Sequence, residues 1–399
     1  MKYLEAVLGG LIFVITASSV MKTLVVPAAN ISKIVAWADK AISIIYLPIT
    51  KFVKSFEKRD RILATQAAAY LFLLLVVWVS LLGLALALLL APSVPEFTEG
   101  LREAGSSLFT LGFIYTKTPW ATAIDFLGGF SGLIIVALQI AYLPTLYNSY
   151  NRRETEVTLM TPRSGEPPWG PEILARSKIG LTRNDLPEMY GDWEKWAADV
   201  TETHTSYPSL LRFRSPHPHV SWLISLLAVL DSAALYLAVD PDNAPIQARL
   251  CLRMGFTCLR KIADMQKIPY NADPMPTDRI ELTYEEFLDG IERMNSVGFP
   301  INRDYEQAWK QFVGWRVNYE SIAYALAKNL DVVPAQWGGP RRSRWVTIQT
   351  ERVVNRTPEE PTGTFKKYDW AEVVTFVQLI VPVLGHARML DDVKWAMVR

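Results

Sequence analysis

The stretch Ser106-Ser107-Leu108-Phe109-Thr110-Leu111-Gly112-Phe113 lies between two uncharged apolar segments, residues 62–91 and 126–147. Each is at least as long as the roughly 20 apolar residues that cross ~30 Å of hydrocarbon. The first follows Arg61, and the second is bounded by Asp125 and by Arg152 and Arg153. Both read as transmembrane helices, so the loop between them decides the fold. After Pro92 and Pro95, residues 96–109 make a helix of ~21 Å at 1.5 Å per residue. That is long enough to re-enter a bilayer and too short to cross it. Non-helical backbone at such depth is tolerated only where it is buried in protein or lines water. An ordinary outside loop leaves Leu108, Phe109, Leu111, Phe113 and Ile114 without an apolar environment.

Outer helix, half-length helix, Thr-x-Gly-Phe and a glycine-rich second helix together resemble the pore of a potassium channel. Ser107, Thr110, Gly112 and Phe113 stand at the matching positions of that family's T-x-x-T-x-G-[YF]-G filter. The resemblance implies a homotetramer, since one pore loop per chain cannot enclose an axial pathway. It also implies a filter of Thr110, Leu111, Gly112 and Phe113, whose carbonyl oxygens replace the hydration shell of K+, supported by Ser107, Ile114 and Tyr115. The negative end of the half-helix would favour a cation in the cavity. The sequence departs from the family at Ile114 and Tyr115, where Gly and Asp are usual, and Phe113 lacks the hydroxyl of Tyr. A β-branched residue resists positive φ, so a weakly selective monovalent cation pore that also passes Na+ is the nearest alternative. A non-conducting membrane-anchored sensor or scaffold is the reading from another class.

A third span is expected over residues 6–28, interrupted only by Lys22, whose stem reaches an interface. Residues 30–61 carry Lys33, Lys40, Lys51, Lys54, Lys58, Arg59 and Arg61, whereas 92–123 has Arg102 and Lys117 against Glu96, Glu99 and Glu103. The positive-inside rule places the first cytoplasmic and the second outside, with the N-terminus outside and everything after Arg152 in the cytoplasm of a plasma-membrane protein. A cleaved signal peptide is the rival reading of the N-terminal run, but cleavage exports the Lys-rich segment. Residues 31–47 place Ile31, Ile34, Val35, Ala38, Ile42 and Ile45 near one helical face, with Trp37 as an interfacial anchor and Pro48 ending or kinking the helix. It reads equally as a sliding helix coupled to a gate and as a linker helix packed on the bundle.

In the second span, Gly128, Gly129 and Gly132 serve either a hinge or close packing, and Pro144 kinks the cytoplasmic end. Gln139, Tyr142 and Leu143 are candidate residues of a lower cavity or gate. The organisation expected is mainly α. It comprises an N-terminal span (1–30), an interfacial helix and linker (31–61), and a pore domain (62–150; outer helix 62–91, pore helix 96–109, filter 110–113, inner helix 124–148). A linker (151–171), a helical cytoplasmic domain (172–345) and a C-terminal extension (346–399) follow.

In the tail, Thr283-x-x-Glu286 reads as a capping box, and 303–330 as one long amphipathic helix. Residues 222–239 barely reach spanning length and hold Asp231 centrally, so they are expected as a buried helix of the soluble part. The inner-helix end, the linker and residues 206–231 resemble a set of prokaryotic potassium-channel-like proteins with a helical C-terminal domain. That likeness spans residues 60–340 and implies no ligand for the tail. His204, His217 and His219, with Glu202 and Asp231 nearby, are candidates for a metal or proton sensor, although their spacing matches no metal motif. Arg341-Arg342-x-Arg344-Trp345 is a basic loop that suits solvent or anionic headgroups. Cys251 and Cys258, seven apart, fit reduced core thiols. A net charge of +1 over 399 residues argues against nucleic-acid binding. No G-x-G-x-x-G follows a strand, and nothing suggests an enzyme or a cofactor beyond the permeant ion.

Overall fold

The computed structural model describes residues 1–26, 32–53, 55–179 and 185–339. Ile31, Lys54, the basic loop at Arg341, Arg342, Arg344 and Trp345, and the extension 346–399 lie outside the described residues. All described regular structure is helical. By length and composition four helical stretches can cross a membrane: Lys2–Leu24, Phe56–Leu90, Pro119–Ser164 and Trp222–Val239. Their burial separates them. The most apolar windows of Lys2–Leu24 and Pro119–Ser164 are 22 % buried, whereas that of Trp222–Val239 is 94 % buried. The first kind leaves its apolar side chains to be covered from outside the chain; the last is already covered by protein.

The membrane bundle begins with α1 (Lys2–Leu24), which packs on α4 (Gln66–Leu90). A Cβ on Gly9 would stand 2.6 Å from the Ala85 carbonyl oxygen, so glycine sets that spacing. The Trp78 indole N–H donates to Ser19 Oγ (3.1 Å) from within the same contact. The helix α2 (Lys33–Phe52), expected as interfacial, starts at Ser32, whose hydroxyl accepts the Val35 N–H. It buries Val35, Ala38 and Ile42 and leaves Trp37 exposed. Two details differ from the expectation. Ile45 is exposed, and Pro48 does not end the helix, which continues to Phe52, because proline removes only one amide and the turn before it faces outward. The outer helix is preceded by a short α3 (Phe56–Ala64), with Thr65 at the joint.

α5 (Phe97–Leu108) is the expected half-length helix to within a residue at each end. α6 (Pro119–Ser164) starts at Thr118, whose hydroxyl accepts the Ala121 N–H, with Pro119 in the first turn where no amide is needed. It runs unbroken well past the expected end of the inner helix at 148, so most of the expected linker 151–171 is helix. The polar composition there hides a buried face: Arg153, Val157 and Met160 pack into the tail, and only at Gly165 (φ 78) does the chain turn.

The tail contains α7 (Gly170–Ile179), α8 (Asp185–Ser206), a 3-10 turn at Pro208–Arg212, α9 (Trp222–Val239), α10 (Ile246–Gln266), α11 (Tyr284–Asn295), α12 (Tyr305–Arg316) and α13 (Glu320–Asn329). α9 is its axis, wrapped by α7, α8, α10, α12 and α13. Asp231 on α9 meets Arg316 Nη1 at 2.5 Å and accepts the Tyr319 hydroxyl at 2.8 Å. A buried carboxylate demands such partners. The same need explains why 303–330 is two helices rather than one: the break at 317–319 turns Tyr319 onto Asp231, and Asn318 Nδ2 caps the carbonyls of Gly314 and Trp315. The capping box is present, Thr283 and Glu286 exchanging both bonds. Cys251 and Cys258 are free and buried, and burial pushes the Cys258 thiol up to about 12.

Bundle and tail meet on residues 212–214. Arg212 pairs with Asp39 of α2 and lies over the Tyr70 ring of α4. Arg214 pairs with Asp60 of α3 and donates to the carbonyls of Leu330 and Asp331. Between them Phe213 packs edge-on to Tyr147 of α6.

Candidate functional site

The loop after α5 is held by the helix it leaves. The Thr110 N–H donates to the Ser107 carbonyl (3.0 Å) and the Leu111 N–H to the Ser106 carbonyl (2.8 Å), with Thr110 at φ 55. These are the paired bonds of a Schellman helix end, with a β-branched threonine at the left-handed position where glycine or asparagine is usual. That conformation costs about 1–2 kcal/mol in a residue with a Cβ. The bonds beyond it are not needed to cap a helix. The Gly112 N–H also approaches the Ser106 carbonyl (3.4 Å), and the N–H groups of Phe113 (3.0 Å) and Ile114 (3.3 Å) donate to the Ser106 hydroxyl.

Four successive amides, 111 to 114, thus point at one buried serine. In a trans peptide plane the C=O points opposite to the N–H that follows it. The carbonyls of Thr110, Leu111, Gly112 and Phe113 are therefore directed away from α5, onto the exposed side of the loop. Among the described residues none of these four oxygens accepts a hydrogen bond. Gly112 sits at φ 66 with nothing within 4 Å of the Cβ position, so its requirement is conformational rather than steric. Phe109, Leu111, Phe113 and Tyr115 are all more than half exposed.

Two further ties hold the site. The Glu103 carboxylate, 1 % exposed, accepts the Thr116 N–H at Oε1 and the Thr116 hydroxyl at Oε2, both at 2.6 Å. Ser107, expected to support the filter, holds the Thr110 amide through its carbonyl, while its hydroxyl reaches across to Asp125 of α6. Ile114 supports the loop through its backbone amide, whereas Tyr115 is exposed. Ser106, Glu103 and Thr116 were not singled out by the sequence; the spacing of three between Glu103 and Ser106 along α5 was the available signal.

The glycines of α6 are used for packing. A Cβ on Gly132 would fall 1.9 Å from the Leu108 carbonyl oxygen, and one on Gly128 3.1 Å from Ser107 Cβ. Gly129 has an ordinary 3.6 Å approach to the Ser107 carbonyl oxygen. Between packing and hinge, Gly128 and Gly132 are thus accounted for by the close seat of α5 on α6. Tyr142 does not face an open cavity. It is buried against the 3-10 turn, its hydroxyl 3.3 Å from Ser209 Oγ and its ring edge-on to Tyr207. Gln139 lies beside it in a small crevice with Lys22 and Trp78, and Leu143 packs half-buried on the bundle core. The open face of α6 instead carries Phe126, Phe130, Leu133, Val136, Ile140 and Pro144.

The three histidines are not brought together as a sensor. His204 is buried, with Nε2 on Arg153 Nη1 (3.0 Å) and Nδ1 on Thr203 Oγ1 (3.1 Å). The bond from an arginine, which can only donate, fixes Nε2 as acceptor and puts the proton on Nδ1. Burial, and then the neighbouring Arg153 charge, hold its pKa well below the ordinary value. His217 and His219 are exposed, His219 lying 3.7 Å from Glu57. Among the described residues no group of three or more His, Cys, Asp or Glu is placed to hold a metal ion. Comparison with protein-family models, curated proteins and solved structures finds no match to this chain.

Proposed function

We propose that the chain is one subunit of a homotetrameric cation channel of the plasma membrane, with potassium as the permeant ion and its ion path along the carbonyls of Thr110, Leu111, Gly112 and Phe113. The observation that carries this reading is the row of four amides turned onto Ser106, which leaves four consecutive carbonyl oxygens unbonded on the open side of the loop. A row of carbonyl dipoles is what a dehydrating cation needs. Such oxygens are left unpaired at bilayer depth only if water or an ion meets them. The exposed apolar residues of the loop and of α6 would be covered by neighbouring copies and by lipid. One loop per chain cannot enclose an axial pathway, and the number four comes from the resemblance to potassium channels.

The positive-inside rule favours a cytoplasmic tail, in which case residues 212–214 connect it to both the interfacial helices and the inner helix. A gating input from the tail would act through that contact. Ile114, with no positive φ, favours a second and narrower reading in which the pore discriminates weakly between K+ and Na+. Purified protein in liposomes tests the proposal. Potassium efflux down a gradient from a particle whose detergent mass is four chains supports it, and a stable monomer without flux removes it.

A further inference from the structure

Resting on the channel reading, we infer that Glu103 is a positioning residue that sets ion selectivity, by fixing the outer end of the carbonyl row through Thr116. The outer end is where the chain carries Ile114 and Tyr115, residues that cannot hold a carbonyl in place by glycine-type backbone conformations. Some other restraint must do so. Glu103 stands one turn before Ser106 on the same face of α5. Ser106 fixes the chain at Ile114 and Glu103 fixes it at Thr116, so a single residue, Tyr115, lies between the two anchors. Two residues extend at most about 7 Å, and one turn of helix rises about 5 Å, so the chain between the anchors has little slack.

The choice of a carboxylate is informative. Glu103 is 1 % exposed and, among the described residues, forms no ion pair with a lysine or arginine. Burying such a group is unfavourable unless it is strongly hydrogen-bonded, and a helix face that only needed packing would be better served by leucine. Both oxygens are engaged by one residue, at 2.6 Å each, in bonds that a charged acceptor makes short and directional. Asp125 of α6, held by the Ser107 hydroxyl, stands within hydrogen-bonding reach of Glu103, so the two carboxyl groups lie side by side behind the loop, while both bonds to Thr116 come from Glu103.

The test compares Glu103→Gln, Glu103→Ala and Thr116→Val in liposomes by reversal potential under mixed K+ and Na+ gradients. Amide exchange on the detergent particle is measured in parallel. Glu103→Ala is expected to lower the K+ over Na+ permeability ratio at least tenfold while the particle keeps its mass and conducts. Glu103→Gln, which retains an acceptor for the Thr116 N–H and a polar partner for its hydroxyl, should stay within threefold of the parent. Thr116→Val should fall between. Exchange should accelerate at residues 113–116 in Glu103→Ala and not within α5. An unchanged ratio in Glu103→Ala, or a parent protein that conducts without discriminating, overturns the inference. A parent that conducts nothing overturns the channel reading instead, while exchange at 113–116 still reports whether Glu103 positions the loop.

Discussion

Replacing Ser106 with alanine removes a single hydroxyl and, with it, the acceptor of the Phe113 and Ile114 amides. The Ser106 carbonyl stays, so Leu111 and Gly112 keep their bonds and the end of α5 is preserved. A buried donor left without a partner costs about 1–3 kcal/mol. These two amides are only partly buried, which places the loss at about 1–2 kcal/mol each and about 2–4 kcal/mol per subunit. At 1.4 kcal/mol per tenfold, the ordered loop falls by a factor of about 30 to 1,000 relative to conformers in which Phe113 and Ile114 swing outward. The carbonyls of Gly112 and Phe113 turn with those amides. Potassium efflux from liposomes should therefore fall by more than tenfold in Ser106→Ala, with the detergent particle unchanged in mass, and Ser106→Thr should recover part of it. Full efflux and unchanged K+ over Na+ preference in Ser106→Ala would refute the assignment of the hydroxyl as the support of the carbonyl row.

Gly132→Ala places a methyl 1.9 Å from the Leu108 carbonyl oxygen, against an ordinary C···O approach of about 3.3 Å, so α5 must lift from α6 by more than an ångström. A loss of at least about 1–3 kcal/mol is expected as a lowered thermal midpoint, with Gly128→Ala milder because its nearest contact is 3.1 Å. The buried His204 gives a pH dependence. Its folded pKa lies well below the unfolded value of about 6.5, so the unfolded chain takes up the proton first. The stability it contributes is complete above about pH 6.5 and is lost as pH falls below that, by about 1.4 kcal/mol per unit until the folded pKa is reached. Urea midpoints of the parent should thus drop more steeply between about pH 7 and 5 than those of His204→Gln; equal slopes would contradict the assignment.

The sequence made the spans legible because they follow from uninterrupted apolar length and from charges at the ends, features set by the bilayer rather than by tertiary detail. The half-helix was legible because Pro92 and Pro95 on one side and the Thr-x-Gly turn on the other bound a segment too short to cross. Residues 222–239 were readable as interior for a related reason: a central Asp231 needs a protein partner, and Arg316 supplies it. The extension of α6 through Arg153, Val157 and Met160 was hidden, since one buried face within a polar run has too few apolar positions to outweigh Pro162 and Gly165. The break at 317–319 was hidden because it answers a contact with Asp231, some ninety residues earlier. At the candidate site, Thr110, Gly112 and Phe113 were marked by type and spacing. Ser106 and Glu103 were not, because they act on backbone amides, which leave no trace in residue identity.

Potassium flux of Gly112→Ala in liposomes tests the central claim most directly. Gly112 sits at φ 66 with no atom within 4 Å of the place a methyl group would take, so the substitution introduces no clash within the subunit and acts on the backbone alone. A Cβ at that conformation costs about 1–2 kcal/mol in each chain of the proposed tetramer. The predicted result is loss of flux from a particle of unchanged mass. Undiminished flux would mean that the ions do not pass along this backbone, in contradiction to the proposed path.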